Sequence, residues 1–94
     1  DGDPRAVRPL IDALAAIDGV IVGDNEPYDG ALKGDTMNRH CMENGIAHAL
    51  LEVRQDLIAD AGGVALWAGR IAPILAALNA DDDMHVLRRF PSRA

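Results

Sequence analysis

The chain has 94 residues, about half of them apolar, with 9 basic against 15 acidic side chains and a net charge of −6. That length holds one domain or part of one, with a modest core, and the negative balance argues against nucleic acid and anionic lipid as partners. One cysteine, Cys41, excludes an internal disulfide framework and fits a reducing cytoplasm. The longest apolar stretch, residues 62–78, carries Arg70 and Pro73 and falls short of a membrane span. The start, DGDPRAVRPL, is charged, shows no signal peptide and lacks an initiator Met, so the chain reads as a fragment or a processed product.

In chain order, DPRAVRPLIDALAAIDG offers an N-cap at Asp3, Pro4 where the first helical turn tolerates it, and a stop at Gly19. Leu10, Ile11, Leu14 and Ile17 recur at helical spacing, which predicts an amphipathic helix. The β-branched run Val20 to Gly23 reads as a short buried strand, followed by the irregular DNEPYDGALKGD. Thr36 is placed to cap a short helix, MNRHCMEN, which Gly45 ends. Residues Ala49 to Val53, interrupted only by Glu52, predict a second buried strand. Val64, Trp67, Ile71, Leu75 and Leu78 mark one face of a longer helix, with a kink expected at Pro73. The predicted order is helix, strand, helix, strand, helix, an α/β pattern without internal repeats. Residues 1–80 form the organised segment. The remainder, 81–94, passes from three acids to three arginines without a period and reads as a flexible tail.

In α/β sheets the ligand crevice lies beyond the carboxyl ends of the strands, and both polar clusters fall there. The loop DNEPYDG follows the first predicted strand. It carries more than a turn requires, because Gly or Asn and one Pro suffice for the turn and Glu26 and Tyr28 are surplus. The second strand closes on EVRQD, where alternation puts Glu52 and Arg54 on one face. A carboxylate within an apolar strand must be paired, hydrogen-bonded or wet. Glu52 is therefore either half of a structural ion pair with Arg54 or another cation, or a catalytic carboxylate facing a pocket.

VGDNEPYDG, His40, GIAHALLEVRQDLI and the helix containing Trp67 follow one another in an order that resembles the C-terminal part of the N-formylglutamate amidohydrolases, also called N-formylglutamate deformylases. The likeness runs from about Pro4 to Leu78, and NEPY with EVRQDLI is its most specific part. It implies zinc-dependent hydrolysis of the formyl amide of N-formyl-L-glutamate, a small N-acyl amino acid. It also implies a mixed-sheet α/β fold similar to that of zinc carboxypeptidases and aspartoacylases, of which this helix-strand-helix-strand-helix chain is a fragment. By the resemblance Glu52 is the general acid/base, Arg54 a clamp for a substrate carboxylate or a support for Glu52, and Asn25, Glu26 and Tyr28 the substrate side of the pocket. His40 stands where the family tends to carry histidine, which implies a substrate or supporting role.

The family's zinc ligands, a His and an acid followed by a later His, are expected in the upstream part of the same polypeptide. His40, His48 and His85 lack the short helical interval of a metal pair. His40 and Cys41 are adjacent and diverge on a helix, which disfavours a chelate or a nucleophile pair. Two readings follow: the C-terminal segment of a zinc amidohydrolase, with neither nucleic acid nor membrane as partner, or a small non-catalytic α/β module whose polar loops bind a partner or cap strands.

Overall fold

In the computed structural model all 94 residues are described, and every regular element is helical. Helix α1 spans Val7–Ala15 and helix α2 spans Ala61–Ala80. Between them lie a π-helical segment, Met37–Met42, and a 3-10 turn, Gln55–Ile58, and a second 3-10 turn, Asp82–His85, follows α2.

Helix α1 forms where helical spacing predicts one but is shorter than its sequence signals suggest: its N-cap position is Ala6, without a side-chain bond, rather than Asp3, and its C-cap is Ala16, which leaves Ile17 outside. The Asp3 carboxylate accepts the Arg5 amide at 3.0 Å, the Arg8 amide reaches back to the Pro4 carbonyl at 3.1 Å, and Gly19 ends the turn beyond the helix with φ of +80°, where a side chain is disfavoured. Leu10 and Leu14 supply its buried face. At the π-helical segment the cap is Asp35 rather than Thr36: Asp35 Oδ1 accepts the Asn38 amide at 2.8 Å, and Thr36 makes no capping bond. Helix α2 begins at Asp60, whose Oδ1 accepts the Gly63 amide at 2.7 Å. Pro73 lies inside it, so one carbonyl a turn earlier lacks its helical donor.

The α/β expectation is overturned. Val20 to Gly23 and Ala49 to Val53 run without strand structure, and the chain contains no sheet. The Val20 amide turns back to the Ile17 carbonyl at 3.2 Å, and no backbone hydrogen bond reaches residues 21–23 or 47–53. A strand exists only through the ladder that pairs it. Apolar, β-branched runs specify a segment fit for burial but do not supply a partner, and these two runs do not pair with each other.

The apolar faces consequently stay open. Only 7 of 94 residues are buried, and the surface is 6436 Å², against about 5,200 Å² for a folded monomer of this mass. The buried residues are the apolar Leu10, Leu14 and Met42, Gly45 and His48, and the Asp3–Arg5 ion pair, whose charged atoms meet at 2.9 Å. Helix α2 packs on α1 and on both 3-10 turns, yet none of its residues is fully buried. It has 20 residues, with an 18-residue window of mean hydropathy 1.5, and so reaches the length of a membrane span that the 62–78 stretch lacks. The same length and composition describe an interior helix of a larger fold.

Candidate functional site

The loop Asp24–Gly30 is held from both ends. Arg8, on α1, donates to Asp24 Oδ2 at 2.6 Å. Arg93, near the end of the chain, grips Asp29 with two bonds of 2.9 and 3.1 Å. Inside the loop Asn25 takes a left-handed φ of 56°, which this residue type tolerates. Its Oδ1 accepts the Gly30 amide at 2.9 Å, while Asp29 Oδ1 accepts the Ala31 amide at 2.9 Å. The Glu26–Pro27 peptide is cis. Pinned in this way, the loop projects Tyr28 into solvent, 77% exposed and without a hydrogen-bond partner.

Behind the loop lies a cleft of about 960 Å³. Its walls include Asn25, Glu26, Tyr28, Glu52 and Arg54, and Trp67 and Ile71 of α2 close the apolar side. Five residues singled out from the sequence therefore share one concavity. His40 does not join them: it is exposed on the π-helical segment, and its carbonyl accepts from the Asn44 side chain at 3.1 Å.

Glu52 and Arg54 do not pair. Arg54 binds Asp56 instead, Nε to Oδ1 at 2.6 Å and Nη2 to Oδ2 at 2.9 Å. The side-chain bonds from Arg54 pull Asp56 below the ordinary carboxylate range, and the same bonds raise the guanidinium. The bidentate fit needs two carboxylate oxygens in the guanidinium plane, and the chain turning into the 3-10 segment at Gln55 presents those of Asp56. Glu52 is left exposed in the cleft wall with no ion-pair partner.

The histidines are dispersed in space as in sequence. His48 is buried, its Nδ1 donates to the Ile46 carbonyl at 2.8 Å, and its Nε2 has no partner. His85 bonds through Nε2 to the Asn79 carbonyl at 2.6 Å. Cys41 is partly buried, and burial followed by the nearby Asp35 charge pushes its thiol up, away from the reactive thiolate. No group of three His, Cys, Asp or Glu side chains is arranged to hold a metal ion, so the donor set of this chain does not fit a zinc centre.

The sequence reading passed over Arg8 and Arg93 as supports of the loop, and Trp67 and Ile71 as walls of the cleft rather than members of a helix face alone. Asp24 and Asp29, bracketing NEPY, were the available signal for the supports, since a flanking carboxylate can accept from a distant guanidinium.

No curated protein and no solved structure matches the chain. The family model of N-formylglutamate amidohydrolase matches residues 1–59, which span the loop, His40, Glu52 and Arg54 and stop before α2. With well over half of its length matched, this chain belongs to the N-formylglutamate amidohydrolase family.

Proposed function

We propose that the chain supplies the substrate-facing wall and the proton-transferring carboxylate of an enzyme that hydrolyses N-formyl-L-glutamate to formate and L-glutamate. The observation that carries this reading is the unpaired Glu52 carboxylate, set in the same cleft as Asn25, Glu26 and Tyr28. A structural ion pair would have occupied Glu52; Arg54 is taken by Asp56 and leaves it free.

In this reading Glu52 accepts the proton of the attacking water and returns it to the departing amine, so the tetrahedral intermediate collapses toward formate. The Tyr28 hydroxyl donates to that intermediate's oxygen or to a substrate carboxylate. Asn25 and Glu26 belong to the substrate side, and Asn25 is already fixed by its bond to Gly30; His40 lies outside the cleft, and no step is assigned to it. Arg54 keeps Nη1 unengaged, and a carboxylate of the substrate can meet that edge while Asp56 holds the other. Trp67, Ile71 and Leu10 form the apolar side of the cleft. Zinc, which polarises the carbonyl and acidifies a bound water in such hydrolases, has no site among these side chains; the reading places its ligands in other parts of the polypeptide. A cytoplasmic location is part of the same proposal.

Glu52→Gln in the intact enzyme tests the assignment. The substitution keeps shape and hydrogen bonding and removes the base, so the fold survives while kcat for formate release falls by about 10² to 10⁴. Retention of more than about a tenth of the wild-type kcat would place the base elsewhere.

A further inference from the structure

The far end of the chain lies beyond the stretch matched by the family, yet its side chains close around the loop that faces the cleft. The Arg93 amide donates to Asp1 Oδ1 at 2.7 Å, and Arg93 Nε donates to the Asp1 carbonyl at 3.1 Å. Ser92 Oγ donates to Asp1 at 2.9 Å, and Asn38 of the π-helical segment donates to both Ser92 Oγ and Asp1 Oδ2 at 3.2 Å. The backbone that carries Arg93 is thus tied to two other parts of the molecule before its guanidinium reaches Asp29. That guanidinium does not line the cleft, whereas Asp29 does.

From these contacts we infer that Arg93 is a positioning residue for the Asp24–Gly30 loop, acting through Asp29 to fix the neighbouring Tyr28 at the mouth of the cleft. Tyr28 has no bond of its own through which it could be held. Its place depends on the backbone between Pro27 and Asp29, and that backbone has two anchors. One is the internal Asn25–Gly30 bond, backed by Arg8 on Asp24. The other is the Asp29 carboxylate, which joins the Ala31 amide on one side to Arg93 on the other. The Arg93 bond, then the Ala31 amide, hold the Asp29 carboxyl below its ordinary range, consistent with an engaged pair. Removing the guanidinium releases the Tyr28 end while the Asp24 end stays on α1.

The role in catalysis rests on the hydrolase reading above, so the test has one readout that depends on it and one that does not. Amide hydrogen exchange is measured on the intact protein with Arg93→Ala and Arg93→Lys. An exposed pair of this kind changes local opening by about 2- to 5-fold, so the Gly30 and Ala31 amides exchange faster by that factor in the Ala variant, the Lys variant falls between, and the Leu10–Leu14 amides of α1 stay as in wild type. Unchanged exchange at Gly30 and Ala31, or an equal rise at Leu10–Leu14, overturns the inference: the first shows no strap, the second a general structural role.

Steady-state hydrolysis of N-formyl-L-glutamate is the second readout. A KM raised by a similar factor, about 2- to 5-fold, with kcat nearly constant supports positioning of the substrate side. An unchanged KM, or a fall confined to kcat, overturns it. A wild-type enzyme that releases no formate defeats the hydrolase reading instead, and the exchange experiment alone then decides whether Arg93 holds the loop.

Discussion

Two regions of this molecule are built by opposite means. In one, a single buried guanidinium gathers the chain: Arg5 binds the Asp3 carboxylate at 2.9 Å and donates to the carbonyls of Gly45, Asp83 and Val86 at 3.0, 3.0 and 2.6 Å, with Phe90 lying 5.4 Å from its charge. Gly45 sits beneath the tail with φ of +69°, and a Cβ there would stand 2.9 Å from the Arg88 amide nitrogen. Along the cleft, residues 21–23 and 50–53 make no backbone hydrogen bond, and their apolar side chains face solvent, with Ile21 98% and Leu50 60% exposed. The difference teaches that order in this chain comes from satisfied polar groups, whereas its apolar surface awaits cover. Hydrophobic burial dominates most folds, and here it is confined to a few residues of α1 and Met42.

The comparison breaks first at Arg5. Arg5→Ala leaves Asp3 buried without its cation and strips several carbonyls of a donor, and breaking a buried pair from one side costs about 3–5 kcal/mol. Against the small stability available to a domain, the expected outcome is loss of the urea transition, or a midpoint shifted far to lower concentration. A midpoint within error of wild type would show that the tail and the N-terminal segment hold together without the guanidinium.

Acid should loosen the same region, and the sign follows from Asp3. Burial alone would raise its pKa, but the side-chain and backbone bonds from Arg5 outweigh burial and hold it below the ordinary 3.8. A carboxylate depressed in the folded state adds stability that is complete above its unfolded value and disappears as pH falls through the folded one. Stability is therefore expected to be flat with respect to Asp3 from neutral pH to about 5, and to decline below 3.8 as the group protonates in the unfolded chain first. The decline is smaller than the effect of Arg5→Ala, because a protonated Asp3 still accepts hydrogen bonds. Asp3→Asn should flatten the acid limb of a urea-midpoint profile measured against pH; an unchanged limb would assign it to the exposed pairs Arg54–Asp56 and Arg93–Asp29.

How much of this was legible in sequence depended on the range of the interaction. The existence of α1 and its buried Leu10 and Leu14 were readable from helical spacing, but its ends were not: the cap expected at Asp3 falls at Ala6 without a side-chain bond, and the helix closes at Ala16, before Gly19. Thr36 misled as a cap because its neighbour Asp35 offers a stronger acceptor to the same turn. Glu52 beside Arg54 suggested a pair, but Arg54 had a second carboxylate at equal distance along the chain, and backbone turning, invisible to alternation arguments, selected Asp56. The strands failed for a different reason: hydrophobic patterning reports readiness for burial, and pairing is a property of two segments. The candidate site was legible as a cluster of polar residues interrupting an apolar run, with its specific assignment carried by resemblance. The grip of Arg8 and Arg93 on its loop spans 16 and 64 residues of sequence, and no local rule reaches that far.

The smallest expected effect sharpens the comparison from the open side. Ile21 belongs to the run that sequence patterning assigned to a buried strand, and in this structure nearly all of its surface meets water. A substitution in such a place alters little that differs between folded and unfolded chains, so Ile21→Ser should change the unfolding free energy of this chain by less than about 0.5 kcal/mol. A buried isoleucine truncated to a small residue would lose about 2–5 kcal/mol through transfer and cavity terms. The two values are far enough apart for urea denaturation to separate them. A loss above about 1 kcal/mol, well outside the range for surface positions, would mean that residues 20–23 are covered in solution, and that the apolar region is closed by contacts as substantial as those made at Arg5.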